Sequence, residues 1–342
     1  MVGTGGPGAD GLPRHGVDRA TFRAIAAARG GPEAVRLLRS GQLSKRALLL
    51  LALRRAAPED AGYRAAYAEV RASQRTDRAR WEEVLLRPEL DAWAADSLRA
   101  RTAGEAVRLD ALREFLRPPV AEPLRLECDG LRWAPAVDHA GQRRVDYGRP
   151  PAGPLDAREL ASWHTALADA WRILVRRHRP YAEAVAACVT TIVPLRPAPG
   201  GEAVSAAARR AYGAVAASLP GDPVLLALAL VHEFLHLQLG ALLDLVPLHR
   251  PDGAAVHHAP WRPDPRPVGA LLQGTYAHLG VADFWCAERS GAAEGGRAAE
   301  EFTRWRGHAL AAGTTLLGSG GLTAHGREFT EELLGAVRGL GR

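Results

Sequence analysis

The chain has 342 residues, 47% apolar and 24% charged, with 44 basic and 38 acidic residues giving a net charge of +6. These are the proportions of an ordinary globular protein, and the length suffices for one large domain or two smaller ones. The basic residues are spread along the chain and form no long cationic run, so we expect no nucleic-acid partner.

The spacing of the cysteines and the length of the apolar runs indicate the cellular compartment, and they exclude cysteine–metal clusters and membrane-spanning proteins. Cys128, Cys188 and Cys286 are isolated from one another and form no CxxC pair, so an iron–sulfur cluster or a cysteine-based zinc site is not expected. No segment reaches the roughly eighteen consecutive apolar residues of a membrane helix, and residues 1–16 lack the order of a secretion signal. We therefore predict a cytoplasmic protein with buried, reduced thiols and no membrane partner.

The first third of the chain has helical spacing. A Gly/Pro-rich opening predicts disorder over 1–17. The Ala-, Leu- and Arg-rich segment 18–117 predicts several packed helices that serve as a scaffold. Pro118 and Pro119 end this region, because adjacent prolines cannot continue a helix. We assign 118–342 to a metal-binding catalytic region, which could form one compact unit with 18–117.

The middle of the chain mixes short strands with a helix. The segment 120–147 has the turns and short runs of strands, 156–178 returns to helical spacing, and a β-branched run precedes Pro194. We predict a mainly helical α+β fold with a small antiparallel sheet around 120–196, packed against the helix described next.

A strongly apolar helix carries the first chemical motif. Asp222 is a suitable N-cap and Pro223 a suitable first residue, so we predict a helix from Pro223 to about Leu245. It contains His232-Glu233-Phe234-Leu235-His236, in which the histidines are four residues apart and stack on one face. This is the spacing that two ligands of one metal ion require, and Glu233 could reach a metal-bound water.

The chance occurrence of HExxH weakens the prediction of a metal site, whereas the burial of its helix strengthens that prediction. A random HExxH would arise in roughly 3% of chains of this length and composition. The apolar flanks predict a buried helix, in which two histidines and a glutamate are costly without partners. The alternative, that these groups only hydrogen-bond within the core, stays open.

A third ligand must come from elsewhere. Leu239 and Leu242 stand where a metzincin has glycine and histidine, and a gluzincin would need a glutamate on a downstream helix. The next helix, predicted from about Val268 to Glu288, instead has His278 at its centre. We select His278, although a core role for it is open. The competing loop histidines are His249, His257 and His258.

A proline-rich loop connects the two helices. Four prolines between positions 260 and 267 predict a stiff, extended segment that fixes Arg262 and Arg266. Such guanidinium groups beside a metal suit bidentate capture of a carboxylate. A surface loop with local salt bridges is the alternative.

Several blocks resemble one family. They are LALALVHEFLHLQLGALLDL, APWRPDPRPVGALLQGTYAHLGVADFW, GLTAHGREF, GGPEAVRLLRSGQLSKRALLLLAL and AVAASLPGDP. Together they resemble the HExxH-domain, peptide-modifying proteins of ribosomal-peptide (RiPP) biosynthesis, and the likeness is strongest between 213 and 286. Some of those proteins are fused to a radical SAM enzyme, and this chain lacks that part and its cysteine cluster.

The resemblance implies an iron(II)- and 2-oxoglutarate-dependent hydroxylase that uses O2 to place a hydroxyl on the β-carbon of a precursor-peptide residue. It implies His232, His236 and His278 as metal ligands, and Arg262 and Arg266 as candidates to bind the distal carboxylate of 2-oxoglutarate. The expected partners are the precursor peptide and, for any crosslinking, a separate radical SAM enzyme. Imidazole ligands suit iron as well as zinc.

Two other functions stay open. A zinc peptidase would use Glu233 as a general base on a Zn(II)-bound water. A noncatalytic protein could present a precursor peptide, frequently acidic in its leader, to another enzyme through its basic surface. In the hydroxylase Glu233 has no obvious role as a base and could orient a ligand, hold a water or contact substrate.

Overall fold

The computed structural model describes residues 15–119, 121–139, 145–251, 255–289 and 295–341. In these ranges the helices are α1 Arg19–Ala26, α2 Gly31–Ala56, α3 Ala61–Thr76, α4 Arg78–Leu85, α5 Pro88–Thr102, α6 Leu112–Leu116, α7 Ala157–Arg177, α8 Arg179–Cys188, α9 Pro223–Leu243, α10 Val268–Glu288, α11 Gly295–Gly318 and α12 Ala324–Gly339. The strands are β1 Leu126–Cys128, β2 Leu131–Trp133, β3 Ala136–Val137, β4 Thr191–Pro194, β5 Ser205–Ala206, β6 Ala214–Ala217, β7 Val256–His257 and β8 Arg266–Pro267. A short 3₁₀ turn, Leu109–Ala111, precedes α6.

The mainly helical architecture with small sheets is as predicted, but the antiparallel arrangement of the largest sheet is wrong. Its strand order is β3-β4-β6-β5, with β3, β4 and β6 parallel and β5 antiparallel to β6. Parallel strands need a crossover connection, and α7 with α8 supplies it between β3 and β4. The sheet also extends to residue 217, beyond the predicted limit near 196.

The antiparallel pairing that does occur near 120–147 is a hairpin. β1 pairs with β2 from Leu126↔Trp133 to Cys128↔Leu131. Its turn is Asp129-Gly130, with φ of 44° and 77°. Asp-Gly with two positive φ values is the preferred two-residue connection, because its twist matches that of the strands.

The helix α2 belongs to two cores. Ala34, Val35 and Leu38 join the main core, which also includes buried residues of α7, α9, α10 and α12. Leu43, Leu50 and Leu53 instead join a second core with α3 to α6. Because α1 and the first half of α2 pack into the main core, that core includes part of the segment 18–117. Of the predicted disordered segment 1–17, residues 1–14 lie outside the described residues, and Val17 is buried.

The helix α1 packs against α12, which lies about three hundred residues further along the chain. Phe22 meets Phe329 edge to face, with ring centroids 5.7 Å apart. Arg19 pairs with Glu328 at 2.9 Å on the outside of this contact. The two helices close one side of the main core.

The helix α9 lies at the centre of the main core. Asp222 accepts a hydrogen bond from the Val224 amide and Pro223 opens the helix, as predicted. Among the described residues α9 is the one helix that is long and apolar enough to cross a membrane, and 72% of that window is buried inside the protein. Burial of this kind is typical of a core helix.

The helix α10 has the predicted bounds, Val268–Glu288, and packs on both α9 and α11. Its approach to α9 is close at Gly280, where an added methyl group would collide with Leu235. The absence of a side chain at Gly280 therefore lets the two helices lie close together. This contact is near the histidines, because Leu235 is about one turn from His232 on α9 and Gly280 is two residues from His278 on α10.

Candidate metal centre

The pair His232 and His236 lies one above the other on α9. Their Nε2 atoms are 3.2 Å apart, and the ring centroids are 4.8 Å apart. The Nδ1 of His236 donates to Oε1 of Gln273 on α10 at 3.2 Å. This bond fixes the tautomer of His236, so its Nε2 carries a lone pair directed toward the neighbourhood of His232.

The third predicted ligand, His278, lies beside this pair on α10. Its ring centroid is 5.3 Å from that of His232. Its Nδ1 donates to the carbonyl of Gly274 at 2.7 Å, which leaves Nε2 as the acceptor nitrogen. The ring is held between Trp305, parallel at 4.4 Å, and Trp261, tilted at 4.3 Å. Two indoles and a backbone carbonyl thus fix its orientation.

Burial favours the neutral form of His232 and of His278. It lowers the pKa of His232 well below the ordinary 6.5, and the neighbouring His236 and His278 lower it further. Burial also lowers the pKa of His278 to about 3, against the opposing hydrogen bond to Gly274. Neutral imidazole is the form that ligates metals, so these two side chains are in the ligating state at neutral pH.

The geometry of the α9 pair fits two ligands of one ion. Nitrogens 3.2 Å apart, each about 2.0–2.1 Å from a metal, would subtend an angle of roughly 100° there. Within the described ranges, however, no group of three or more His, Cys, Asp and Glu side chains has an arrangement that could hold a metal ion. His278 lies near the pair without closing around it, and the metal site therefore stays a prediction.

The role of Glu233 is constrained by strand β5. Its side chain is buried, and Oε1 accepts a hydrogen bond from Oγ of Ser205 at 2.7 Å. The backbone of Ala207 bonds the same carboxylate, and Nε2 of His232 is 4.0 Å from Oε1. Burial raises the pKa of Glu233, while His236 and these hydrogen bonds oppose the rise. The carboxylate thus ties α9 to the edge of the sheet.

A cavity of about 480 Å³ opens beside His232 and His278. This volume is within the usual range for a small-molecule site. Its wall includes apolar side chains of α9 and α10. The polar and aromatic groups in the wall are Ser205 of β5, Ser218 just after β6, Trp285 of α10, and Arg297, Glu301, Arg304 and Trp305 of α11. A small anion and one amino-acid side chain could enter together.

The predicted arginines of the proline-rich loop point elsewhere. Nε of Arg262 lies 2.8 Å from Asp264, and Nη1 of Arg266 lies 3.6 Å from the same carboxylate. Neither residue lines the cavity, whereas Arg297 and Arg304 do. The loop contributes Trp261 to the site instead. Whether Arg262 and Arg266 hold a cosubstrate stays a prediction.

Each cavity arginine is paired with a carboxylate and lies near a tryptophan ring. Arg297 lies 3.4 Å from Asp222 and its guanidinium carbon is 5.5 Å from the ring centroid of Trp285. Arg304 pairs with Glu301 at 2.5 Å and lies over Trp305. Both side chains are about half exposed. They bring guanidinium groups to the cavity wall, together with the carboxylate of Glu301.

The residues of α11 were missed by the sequence reasoning. Arg297, Glu301, Arg304 and Trp305 recur at helical spacing within an otherwise alanine-rich segment. That spacing puts them on one face, and a charged face bearing tryptophan was the available signal. By contrast, the competing loop histidines, His249, His257 and His258, do not line the cavity.

The chain was compared with known proteins. No protein-family model matches it, and no curated protein matches it significantly.

Proposed function

We propose that this protein is an iron(II)- and 2-oxoglutarate-dependent hydroxylase that acts on the β-carbon of a residue in a ribosomally synthesised precursor peptide. The observation that carries the proposal is the pair of Nε2 atoms, 3.2 Å apart, beside a cavity of about 480 Å³ lined by two arginines. Neutral imidazoles suit the metal, and guanidinium groups suit a dicarboxylate cosubstrate. The sequence blocks quoted above point to the same class.

The residues that would hold the ion are His232 and His236, with His278 as the third ligand. When bound, iron(II) supplies the redox chemistry that converts 2-oxoglutarate and O2 to succinate and CO2, while one oxygen atom enters a C–H bond of the peptide. Gln273 and Gly274 fix the tautomers of their histidine partners.

The remaining residues would bind the cosubstrate and enclose the metal site. Arg297 and Arg304 would attract the distal carboxylate of 2-oxoglutarate, since they are the arginines that line the cavity. Trp261 and Trp305 shield His278 from water on both ring faces. Glu233, buried and bound to Ser205, would position β5 rather than exchange protons with substrate.

A zinc peptidase is the second candidate, because burial raises the pKa of Glu233, as suits a general base. Its carboxylate is also near His232. Against this function, Ser205 and Ala207 already occupy the carboxylate. The expected partners, the precursor peptide and a separate radical SAM enzyme, and the cytoplasmic location belong to the hydroxylase proposal.

The test is reconstitution of the full chain with iron(II), ascorbate, 2-oxoglutarate and the precursor peptide encoded beside its gene. We expect the peptide to gain one oxygen atom, with one succinate formed for each hydroxylation. His232→Ala should abolish both products, and the exposed His258→Ala is the matched control. Cleavage of the peptide by the Zn(II)-loaded protein would favour the peptidase. Binding without oxygen gain, succinate or cleavage would favour the noncatalytic partner.

The cosubstrate contact has its own test. Arg297→Met and Arg304→Met should each raise the KM for 2-oxoglutarate by about tenfold or more, as expected for loss of a charge-assisted hydrogen bond. Arg262→Met and Arg266→Met are the comparison pair. A larger effect from the loop pair would return the anchor to the residues that the sequence indicated.

A further inference from the structure

The strand β5 is the edge of the four-stranded sheet. It pairs on one side with β6, through Ser205↔Ala217 and Ala206↔Ala216. Within the described ranges no strand pairs with its other side, and both of its residues are partly exposed. An edge of this kind is a template for another extended segment.

The direction of the backbone groups of β5 follows from the register. The Ser218 amide donates to the carbonyl of Val204 at 2.8 Å, and the Val204 amide donates to Oγ of Ser218 at 2.9 Å. Val204 therefore faces β6. Because hydrogen-bonding direction alternates along an antiparallel strand, the N–H and C=O of Ser205 face the open edge. Ala207 faces the same way, but its backbone is already bonded to Glu233.

The side chains of this segment alternate between two faces. The hydroxyl of Ser205 is directed to Glu233 on α9. Val204 and Ala206 pack instead with the small core cluster that contains Val193. Residues directly opposite one another in an antiparallel pair place their side chains on the same face. A residue paired with Ser205 would therefore project toward α9 and the cavity.

The cavity begins at this edge. Ala203, Val204 and Ser205 belong to its wall, together with His232 and His278. A segment lying along β5 would thus have one side chain at the histidines, while the side chains before and after it point to the opposite face.

We propose that an extended peptide adds to β5 as an antiparallel strand, with one residue exchanging both hydrogen bonds with Ser205 and directing its side chain into the cavity. The antiparallel direction follows because only there do two opposite residues exchange both bonds. That residue, here called residue j, is the one to be modified; this last step rests on the proposed hydroxylase function. Main-chain bonding gives affinity and the cavity gives selectivity.

The experiment starts from a random library of linear twelve-residue peptides displayed and selected on the immobilised full chain. Enriched peptides are synthesised with a single N-methyl group at each backbone nitrogen in turn, and Kd is measured. N-methylation at residue j should weaken binding by about tenfold, as for loss of one or two hydrogen bonds. The residues before and after j should tolerate it, because their N–H groups face away. A flat profile, equal losses at adjacent positions, or failure to enrich any peptide would overturn the inference.

The protein side of the contact is tested by comparing Ser205→Pro with Ser205→Ala. Both variants lose the hydroxyl, and only the proline also loses the N–H that faces the edge. Ser205→Pro should bind the selected peptides about tenfold more weakly than Ser205→Ala and show no special sensitivity at residue j. If the proline variant fails to fold, the N-methyl profile on the unaltered protein still decides.

Turnover separates this inference from the function on which it rests. With iron(II), ascorbate, 2-oxoglutarate and air, the added oxygen should lie on residue j of the bound peptides. An intact N-methyl profile without any oxygen gain would contradict the hydroxylase and leave strand addition standing. Oxygen gain on peptides whose profile is flat would contradict strand addition alone.

Discussion

Two regions of the molecule bury titratable side chains, and they do so in opposite ways. Where the helical region meets α9, Lys45 lies 2.8 Å from Asp91 and 3.0 Å from Asp244, and Arg46 is completely buried next to them. Opposite charges thus meet. Between α9 and α10, the imidazoles of His232, His236 and His278 lie side by side, and burial lowers the pKa of His232 and of His278. Removing one member of a buried ion pair strands the other charge, whereas removing one of several neutral imidazoles strands none.

The largest effect is expected when the buried cluster of charges around Lys45 is broken. Asp91 is fully buried, and Asp91→Ala would leave Lys45 with Asp244 alone and remove a carboxylate that attracts the buried Arg46. Removal of one partner of a buried pair costs about 3–5 kcal/mol. Urea unfolding should show that loss, whereas the exposed control Glu59→Gln, which breaks the Arg101 pair, should cost less than about 1 kcal/mol. Equal effects would mean that burial does not distinguish the two ion pairs.

The second prediction concerns the histidines, where a substitution should change metal affinity more than folding stability. Loss of an outer-shell partner typically lowers metal affinity about 10- to 100-fold, so loss of a ligand in His232→Ala should cost at least about a hundredfold. Its unfolding free energy should change less than that of Asp91→Ala, because no opposite charge is stranded. Titration with Co(II), followed by its visible absorption, measures the affinity, and His258→Ala is the control. Unaltered Co(II) binding in His232→Ala would remove the motif from the metal site.

A smaller effect is expected where α9 and α10 touch. Gly280→Ala would push against Leu235, and overpacking of this kind costs about 1–3 kcal/mol. Because the helices would separate beside His278, Co(II) affinity should fall with the stability. Gly335→Ala on α12, where an added methyl meets nothing within 4 Å, should be neutral or stabilising by up to about 1 kcal/mol. If stability fell while Co(II) binding stayed intact, the spacing of α9 and α10 would not determine the metal affinity.

The smallest effect concerns pH. Burial would raise the pKa of Glu288, but hydrogen bonding to His178 at 2.7 Å and the charge of Arg177 together bring it below the ordinary 4.5. A carboxyl whose pKa is lowered by folding adds stability above its unfolded pKa, and that stability is lost as the pH falls through the folded value. The free energies of unfolding of the wild type and Glu288→Gln should therefore differ at pH 6, and the difference should shrink as the pH falls below the unfolded glutamate pKa of about 4.3. A constant difference would assign the effect of Glu288 to packing.

Local signals in the sequence were enough for the helices that carry the site. Asp222 and Pro223 fix the start of α9 through neighbouring backbone groups, and the spacing of His232 and His236 follows from helix geometry alone. The bounds of α10 were equally accessible, because its apolar run starts directly after a proline-rich loop.

Features that depend on contacts between separate helices and strands could not be predicted from the sequence. The strand β6 is Ala214–Ala217, with the sequence AVAA, which carries little strand propensity and pairs only because β4 lies beside it. The pairing of Arg262 with Asp264, by contrast, is local, and the sequence leaves such a salt-bridged loop open as the alternative. The cavity position of Arg297 and Trp305 depends on how α11 packs on α10.

The contact between α1 and α12 has a consequence for biosynthesis of the protein. During translation Phe22 emerges long before Phe329, its partner in the main core. Until the ribosome has released α12, Phe22 and its neighbours on α1 lack their cover, and the core that carries His232 stays open on that side. Exposed apolar surface of this kind makes an incompletely synthesised chain prone to aggregation.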